Sequence, residues 1–293
     1  MLTLNQCNRL KDSKNNRVLQ QHNIRRSELD KDWKERYGEW ALVTGASSGI
    51  GADFARQLAE KGMNVILVAR RVHNMEEIAR EIEGSYGIKT LVIGQDLTEP
   101  AAVEKIKDKV GEREVGVLVN NAGYGLLGRF DKNDSDFQAN MVTLNCYVPV
   151  ALTGLFINQM VERGRGAMIF LASTAAYQGV PYFSVYAATK SFNLYLAEGL
   201  WGEYKKLGID IMALSPGYTA TEFQSHAHIK RMKGPKTARS PDVVKLALRK
   251  LNKRASVVHG VMNYVGAFMS RLLPRKTVIS ISGAVMKMAR PGL

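Results

Sequence analysis

The sequence predicts a single α/β domain built on a doubly wound parallel sheet of about seven strands flanked by helices. Short β-type runs recur along the chain: WALVTG at 40–45, NVILVA at 64–69, TLVIGQD at 90–96, GVLVN at 116–120, AMIFLAS at 167–173, DIMALSP at 210–216 and a weaker ASVVHG at 255–260. They are apolar on both faces, as strands covered on both sides are. Between them lie segments such as ADFARQLAEKG at 52–62 and NMEEIAREIEGSYG at 74–87, whose apolar residues recur at helical spacing. Strands alternating with helices make a parallel sheet with right-handed crossovers, which takes its ligands at the carboxyl ends of the strands.

Composition sets the outer limits. A chain of 293 residues, 45% of them apolar, can fill a sizeable core, which excludes disorder as its main state. Cys7 and Cys146 lie far apart with no paired spacing. Neither a disulfide framework nor a thiolate zinc site is therefore expected, and a reducing, cytoplasmic setting fits. The opening MLTLNQCNRLKDSKNNR lacks the apolar run of a signal peptide. The stretch Ala255–Ser270, free of acids, Lys and Arg, falls short of the ~20 apolar residues of a spanning helix.

Residues 1–38 read as a polar extension in which Ser27, three positions before Asp30, caps a short helix through Arg36. Residues 39–260 carry the strand–helix alternation, and 261–293 form a basic amphipathic extension. The net charge of +14 is local: from Ser225 to Leu293 there are 15 Lys and Arg against Asp242 alone, while the preceding residues hold 26 of each sign. A basic surface confined to one end points to anionic lipid, an acidic partner or a phosphorylated substrate. Nucleic acid is not expected, because neither aromatic interleaving nor a nucleic-acid module accompanies the charge.

The first strand runs into Thr44-Gly45-Ala46-Ser47-Ser48-Gly49-Ile50-Gly51 and straight on into a helix. Such a turn lets backbone amides at the positive end of a helix approach a pyrophosphate. A tight strand-to-helix turn alone would also use these glycines, and their spacing departs from the usual dinucleotide fingerprint.

That variant, TGASSGIG, resembles the cofactor loop of short-chain dehydrogenases/reductases. Further motifs match in order: Asn120-Asn121-Ala122-Gly123, Asn145, Ser173, Tyr186-Ala187-Ala188-Thr189-Lys190 and Pro216-Gly217. The resemblance runs from about Trp40 to Gly260 and implies a Rossmann-type fold, hydride transfer between a nicotinamide cofactor and a small-molecule carbonyl or alcohol, and a homodimer or homotetramer. YGEWALVTGASSGIG, FARQLAEKG and PGYTATEF look like the subgroup that includes 3-oxoacyl reductases and 17β-hydroxysteroid dehydrogenases. Membrane-bound members of that subgroup carry a hydrophobic N-terminal segment, whereas this extension is polar.

The resemblance places the cofactor on Gly45, Ser47, Ser48, Gly49, Ile50 and Gly51. It adds Asp96 and Leu97 at the adenine, Asn121, Ala122 and Gly123, and Pro216, Gly217 and Thr219 or Thr221 at the nicotinamide end. Asp96 is also an ordinary helix cap. Where an acid would bind the ribose 2′-hydroxyl of NAD, the chain reads Ala69-Arg70-Arg71. An arginine holds a 2′-phosphate through a forked, charge-assisted contact. The expected cofactor is therefore NADP(H), with Arg70 the chief contact, Ser47 its helper and Arg71 a solvated loop charge.

Tyr186 and Lys190 are four apart, so a helix puts both on one face. An ammonium beside a phenol stabilises the phenolate, so Lys190 is expected to lower the Tyr186 pKa and make it a usable acid and base. By resemblance, Lys190 also holds the nicotinamide ribose, Ser173 hydrogen-bonds the carbonyl and Asn145 anchors a water in the proton relay. A competing reading is a non-catalytic NADP(H)-binding sensor or scaffold acting through the basic tail. The joint presence of Asn145, Ser173, Tyr186 and Lys190 argues against it.

Tyr177, Tyr182, Phe183, Tyr218 and Phe223, with Leu126 and Leu127 opposite, are the expected walls of an apolar pocket, or else core. His226 and His228 lack a third ligand, so no metal is expected. The tail interleaves apolar residues with Arg271, Arg275, Lys276, Lys287 and Arg290 and is broken at Pro274. It reads either as an interfacial helix making peripheral membrane contact or as a helix packed on the core or another subunit.

Overall fold

The computed structural model describes residues 33–223 and 237–289. The expected Ser27–Asp30 cap, Arg290, His226 and His228 lie outside the described residues.

The seven apolar runs form β1 (Trp40–Thr44), β2 (Asn64–Ala69), β3 (Thr90–Gly94), β4 (Val115–Asn120), β5 (Gly166–Leu171), β6 (Ile209–Ser215) and β7 (Ser256–Val258). They assemble as one sheet in the order β3-β2-β1-β4-β5-β6-β7, with every pairing parallel. This is the expected Rossmann-type sheet. The crossovers contain α1 (Gly49–Glu60), α2 (Val72–Tyr86), α3 (Ala102–Val110), α4 (Ser135–Val142), α5 (Val148–Arg163), α6 (Ser184–Tyr204) and α7 (Ser240–Lys250). After β7 come α8 (Val261–Leu272) and α9 (Arg275–Ala289).

Strand alternation divides the core in two. Ala41 and Val43 of β1 pack with Phe54 and Leu58 of α1, Met75 and Ile82 of α2, and Val243 and Ala247 of α7. Trp40 and Leu42 pack instead with Ile106 of α3, Leu152 and Phe156 of α5, and Leu194 and Ala197 of α6. Because both faces are covered, β1, β2, β4 and β5 are buried along their whole length. Truncating a fully buried ring such as Phe54 to Ala would remove about 3–5 kcal/mol. The end of the polar extension joins this body, since Arg36 and Tyr37 both reach Asp210 at the start of β6, at 3.1 and 2.9 Å.

Two departures from regularity matter for the site. α4 runs into α5 through a π-helical turn, Thr143–Tyr147. The helical stretch Ser135–Arg163 is long and apolar enough to cross a membrane by composition, and 44% of its apolar window is buried inside the fold. The second departure is the break at Pro274. A proline disfavours helical geometry in the residue before it, and Leu273 is accordingly extended, with ψ 151°.

Candidate functional site

The strand order reverses between β1 and β4, which opens a crevice outside their carboxyl ends. The glycine turn fills that position. Gly45 and Gly49 take left-handed φ values of 66° and 54°, which only glycine adopts without strain. A Cβ on Gly51 would collide with the Gly45 carbonyl oxygen and come within 2.6 Å of Asn121 Nδ2, so α1 docks on the turn only with glycine there. Asn121 braces the turn: its amide Nδ2 donates to the Thr44 carbonyl at 2.8 Å, and its backbone N–H donates to Thr44 Oγ1 at 3.0 Å.

At the far end of the crevice the structure corrects one expectation. Arg71 is not a solvated loop charge. Its guanidinium donates to Ser48 Oγ at 2.8 Å, to Ser47 Oγ at 3.2 Å and to Glu222 Oε2 at 2.7 Å. Arg70, the expected chief contact, is the more exposed of the two and stands 3.7 Å from Asp96. Asp96 also accepts from the Thr98 N–H and hydroxyl, at 2.9 and 2.7 Å. Burial works against its charge, but the Thr98 hydrogen bonds and Arg70 outweigh it and hold the carboxyl below its ordinary pKa. The carboxylate closes a turn at Thr98 but caps no helix, since α3 begins at Ala102 with Ala101 in the N-cap position, and it lines the same crevice.

At the other end lie Ser173, just after β5, and Tyr186 and Lys190 on α6. Burial pushes the Tyr186 phenol up to about 12, opposed by a hydrogen bond with Ser173. Burial likewise pushes Lys190 down to about 8. Lys190 Nζ lies 5.7 Å from the Tyr186 ring centroid and donates to the Leu171 carbonyl at 2.7 Å. The expected lowering of the Tyr186 pKa by Lys190 is thus not the arrangement found in the protein alone, because desolvation dominates both groups. The Tyr186 ring stacks on Phe183, with centroids 4.3 Å apart, and meets Phe223 at 5.3 Å.

Asn145 lies in the π-helical turn and is fully buried. Its amide donates to the Tyr124 carbonyl and to Thr189 Oγ1, each at 3.0 Å, and accepts from the Tyr124 N–H at 3.2 Å. Asn193, one turn beyond Lys190, donates to the Asn145 carbonyl at 2.9 Å. Sequence reasoning missed Asn193. Its only signal there was the one-turn spacing from Lys190.

One cavity of about 980 Å³ joins these parts and is lined by Gly45, Ser47, Ser48, Gly49 and Ile50 of the turn. Arg70, Arg71, Asp96, Leu97, Asn121, Ala122, Gly123, Ser173, Tyr186 and Lys190 also line it. Asn145 does not, and acts from behind. Pro216, Gly217, Thr219 and Thr221 close one side. Thr221 lies over the glycine turn, its Cγ2 within 2.9 Å of where a Gly49 Cβ would stand, while the Thr219 hydroxyl donates to the Gly217 carbonyl at 3.0 Å. Of the expected walls, Phe183, Tyr218 and Phe223 line the cavity. Tyr177, Tyr182, Leu126 and Leu127 do not. Tyr177 packs on the core with its hydroxyl 3.3 Å from Ser215 Oγ, and Leu127 is fully buried in a separate apolar cluster with Leu126 and Tyr182 beside it.

The missing walls come from Tyr124, Phe137 and Val180, and above all from α8 and α9, through Met262, Met269, Ile281 and Met286. The C-terminal extension is therefore part of the pocket. It is pinned to the segment between Ser173 and Tyr186: Ser282 Oγ donates to the Gly179 carbonyl at 2.9 Å, and Lys287 Nζ lies 5.6 Å from the Tyr182 ring centroid. Among the described residues no group of three potential metal ligands occurs. Burial pushes the Cys146 thiol up to about 11, which keeps it from acting as a nucleophile.

A sheet with a glycine turn at its switch point, and a half-buried serine beside a buried phenol and lysine across the same cavity, is the framework of a dinucleotide-dependent oxidoreductase. The family model for short chain dehydrogenase matches residues 39–231, and the chain belongs to the short-chain dehydrogenase/reductase family. It is 32% identical over 233 residues to the 7beta-hydroxysteroid dehydrogenase of Clostridium sardiniense, covering 79% of this chain and 89% of that protein. It is 35% identical over 198 residues to the very-long-chain 3-oxoacyl-CoA reductase of Bos taurus, covering 66% of this chain but only 62% of that longer protein. A short-chain dehydrogenase from Sphingobium yanoikuyae, solved in complex with NADPH, superposes with a TM-score of 0.72 at 29% identity, covering 80% of this chain and 93% of that one.

Proposed function

We infer that the protein is an NADP(H)-dependent reductase that converts a lipophilic ketone or 3-oxoacyl compound to the alcohol, with Tyr186 as the proton donor. The observation that carries this reading is the single cavity running from Arg70, Arg71 and the glycine turn to Ser173, Tyr186 and Lys190. Its size lies at the upper end of the roughly 300–1,000 Å³ usual for ligand sites. Two arginines and two serine hydroxyls gather where the chain lacks the acid that would select NAD, which fits a 2′-phosphate. The Sphingobium relative was solved with NADPH, which supports the same choice. The apolar walls suit a lipid-like substrate, and the named substrates of the Clostridium and Bos relatives, a hydroxysteroid and a 3-oxoacyl-CoA, belong to that class.

The reduced nicotinamide supplies a hydride when bound. The chain's residues manage the proton and the geometry. Ser173 donates a hydrogen bond to the carbonyl oxygen. Tyr186, neutral at pH 7 because burial holds its pKa near 12, gives its Oη proton to that oxygen as the carbonyl carbon accepts the hydride. Two electrons and one proton arrive with the hydride, the second proton comes from the phenol, and an alcohol results. Lys190, within 6 Å of the ring, faces the phenolate left behind and lowers its energy. Asn145 and Asn193 tie α6, which carries this pair, to the π-helical turn, through Asn145 Nδ2 on Thr189 Oγ1 and Asn193 Nδ2 on the Asn145 carbonyl.

The test is NADPH oxidation across a panel of steroids, 3-oxoacyl thioesters, quinones and short ketones, with NADH compared and Tyr186→Phe as control. Turnover of the larger apolar ketones, lost in the variant, is the expected result. Activity that survives Tyr186→Phe removes the proposed acid, and better turnover with NADH removes the proposed cofactor.

A further inference from the structure

α8 has two faces with different fates. Asn263, Ala267 and Ser270 turn inward and line the cavity. Val261, Tyr264, Val265, Phe268 and Leu272, at spacings of three and four, form one stripe about 100° wide on the opposite side. Each of these five is exposed, Val261 at 79%, Leu272 at 63% and Phe268 at 52%. Among the described residues nothing covers them. A stripe of this size on a soluble face marks an interaction surface.

Its surroundings select the partner. Arg271, Arg275, Lys276 and Lys287 are all exposed, and no Asp or Glu occurs from Val243 to Ala289. Two copies meeting through this face about a twofold axis would set like charge against like, which opposes a second copy as occupant. An anionic lipid surface complements both features at once, taking the apolar stripe between acyl chains and the basic side chains at the headgroups. The cavity opens at the same place: Met262, Met269, Leu273 and Ile281 line it and are themselves exposed.

We propose that the outer face of α8, with the basic residues around Pro274, docks on an anionic bilayer and turns the mouth of the cavity toward the lipid. The docking itself is independent of turnover; its use, admission of a membrane-dissolved ketone, rests on the function inferred above.

The experiment is flotation of the full chain with phosphatidylserine-containing vesicles and with pure phosphatidylcholine vesicles, at low and high salt. Phe268→Asp and the double variant Arg275→Glu/Lys276→Glu change exposed side chains, and unchanged melting temperature and NADPH binding verify their folds. The wild type is expected to float with the anionic vesicles at low salt and to be released by salt. Each variant is expected to lose about ten-fold or more in vesicle affinity. Wild type that stays with the soluble fraction at low salt, or Phe268→Asp that floats as well as wild type, overturns the proposal. A concentration-dependent dimer that Phe268→Asp dissolves, without any vesicle binding, overturns it too and assigns the stripe to a second copy. Vesicle binding by a chain that reduces no lipophilic ketone leaves the docking surface standing and removes the substrate reading instead.

Discussion

Arg71 and Glu222 meet at 2.7 Å across the crevice, joining the end of β2 to the loop that follows β6. Arg71 is at the same time hydrogen-bonded to Ser47 and Ser48, and under the NADP(H) reading proposed above its guanidinium, already paired with Glu222, is the group that would take the cofactor 2′-phosphate. Glu222 and that phosphate would then compete for one guanidinium. Exposed ion pairs contribute roughly 0.2–1 kcal/mol. Glu222→Gln is therefore expected to tighten NADPH binding about two- to five-fold with little effect on NADH, as read by cofactor fluorescence titration. Equal changes for both cofactors would sink the competition.

Arg71→Ala should act in the opposite sense. Loss of a charge-assisted contact to phosphate is expected to weaken NADPH about ten-fold or more while leaving NADH nearly unaffected. Arg70→Ala, measured alongside, ranks the two arginines, and NADPH affinity untouched by either substitution would refute the phosphate site.

Burial disfavours the Lys190 ammonium, so it is lost as pH rises past about 8, far below the 10.5 of an unfolded lysine. Tyr186, near 12, stays protonated over that range. The kcat/KM for ketone reduction should consequently fall above pH 8 along a single-proton limb, which a flat profile to pH 10 would contradict. The same shift has a stability consequence. Between pH 10.5 and 8 the unfolded chain binds this proton and the folded one does not, so stability declines as pH falls through that window. Lys190→Met is expected to raise stability at pH 7 by about 1–3 kcal/mol while abolishing turnover.

Two glycines make a matched pair. A Cβ at Gly51 meets the Gly45 carbonyl, whereas a Cβ at Gly84 on α2 meets nothing within 4 Å. Gly84→Ala should stabilise by about 0.5–1 kcal/mol through helix propensity. Gly51→Ala should destabilise by about 1–3 kcal/mol and loosen cofactor binding, because turn and helix must separate. Urea denaturation of the two variants settles both, and a stable Gly51→Ala would remove the packing argument.

Asn145→Ala removes the partners of the Tyr124 N–H and carbonyl and of Thr189 inside the core. Leaving buried polar groups unsatisfied is expected to cost about 3 kcal/mol. Thermal unfolding would detect this, and an unchanged melting temperature would mean that the turn repairs itself.

Features written in local spacing are legible in the chain's order of residues. NVILVA at 64–69 is a strand to the residue, because the five consecutive apolar residues after Asn64, ended by Arg70, are buried on both faces of a covered sheet. The glycine turn was equally legible, since left-handed backbone at Gly45 and Gly49 excludes other residues. So were the four-residue step from Tyr186 to Lys190 and the break at Pro274. Which partners those residues meet follows from how distant segments pack. Arg71 finds Glu222 151 positions away, and no periodicity signals such a contact. The π-helical turn that sets Asn145 has no composition of its own. α8 and α9 looked like a tail because an amphipathic helix shows that one face is to be buried but never against what. The fold answers by seating the inner face over the cavity and leaving Phe268 and its neighbours in solvent. Short-range sterics and hydrogen bonding are encoded in neighbouring residues, whereas pocket walls, desolvated charges and open surfaces exist only once distant segments have been brought together.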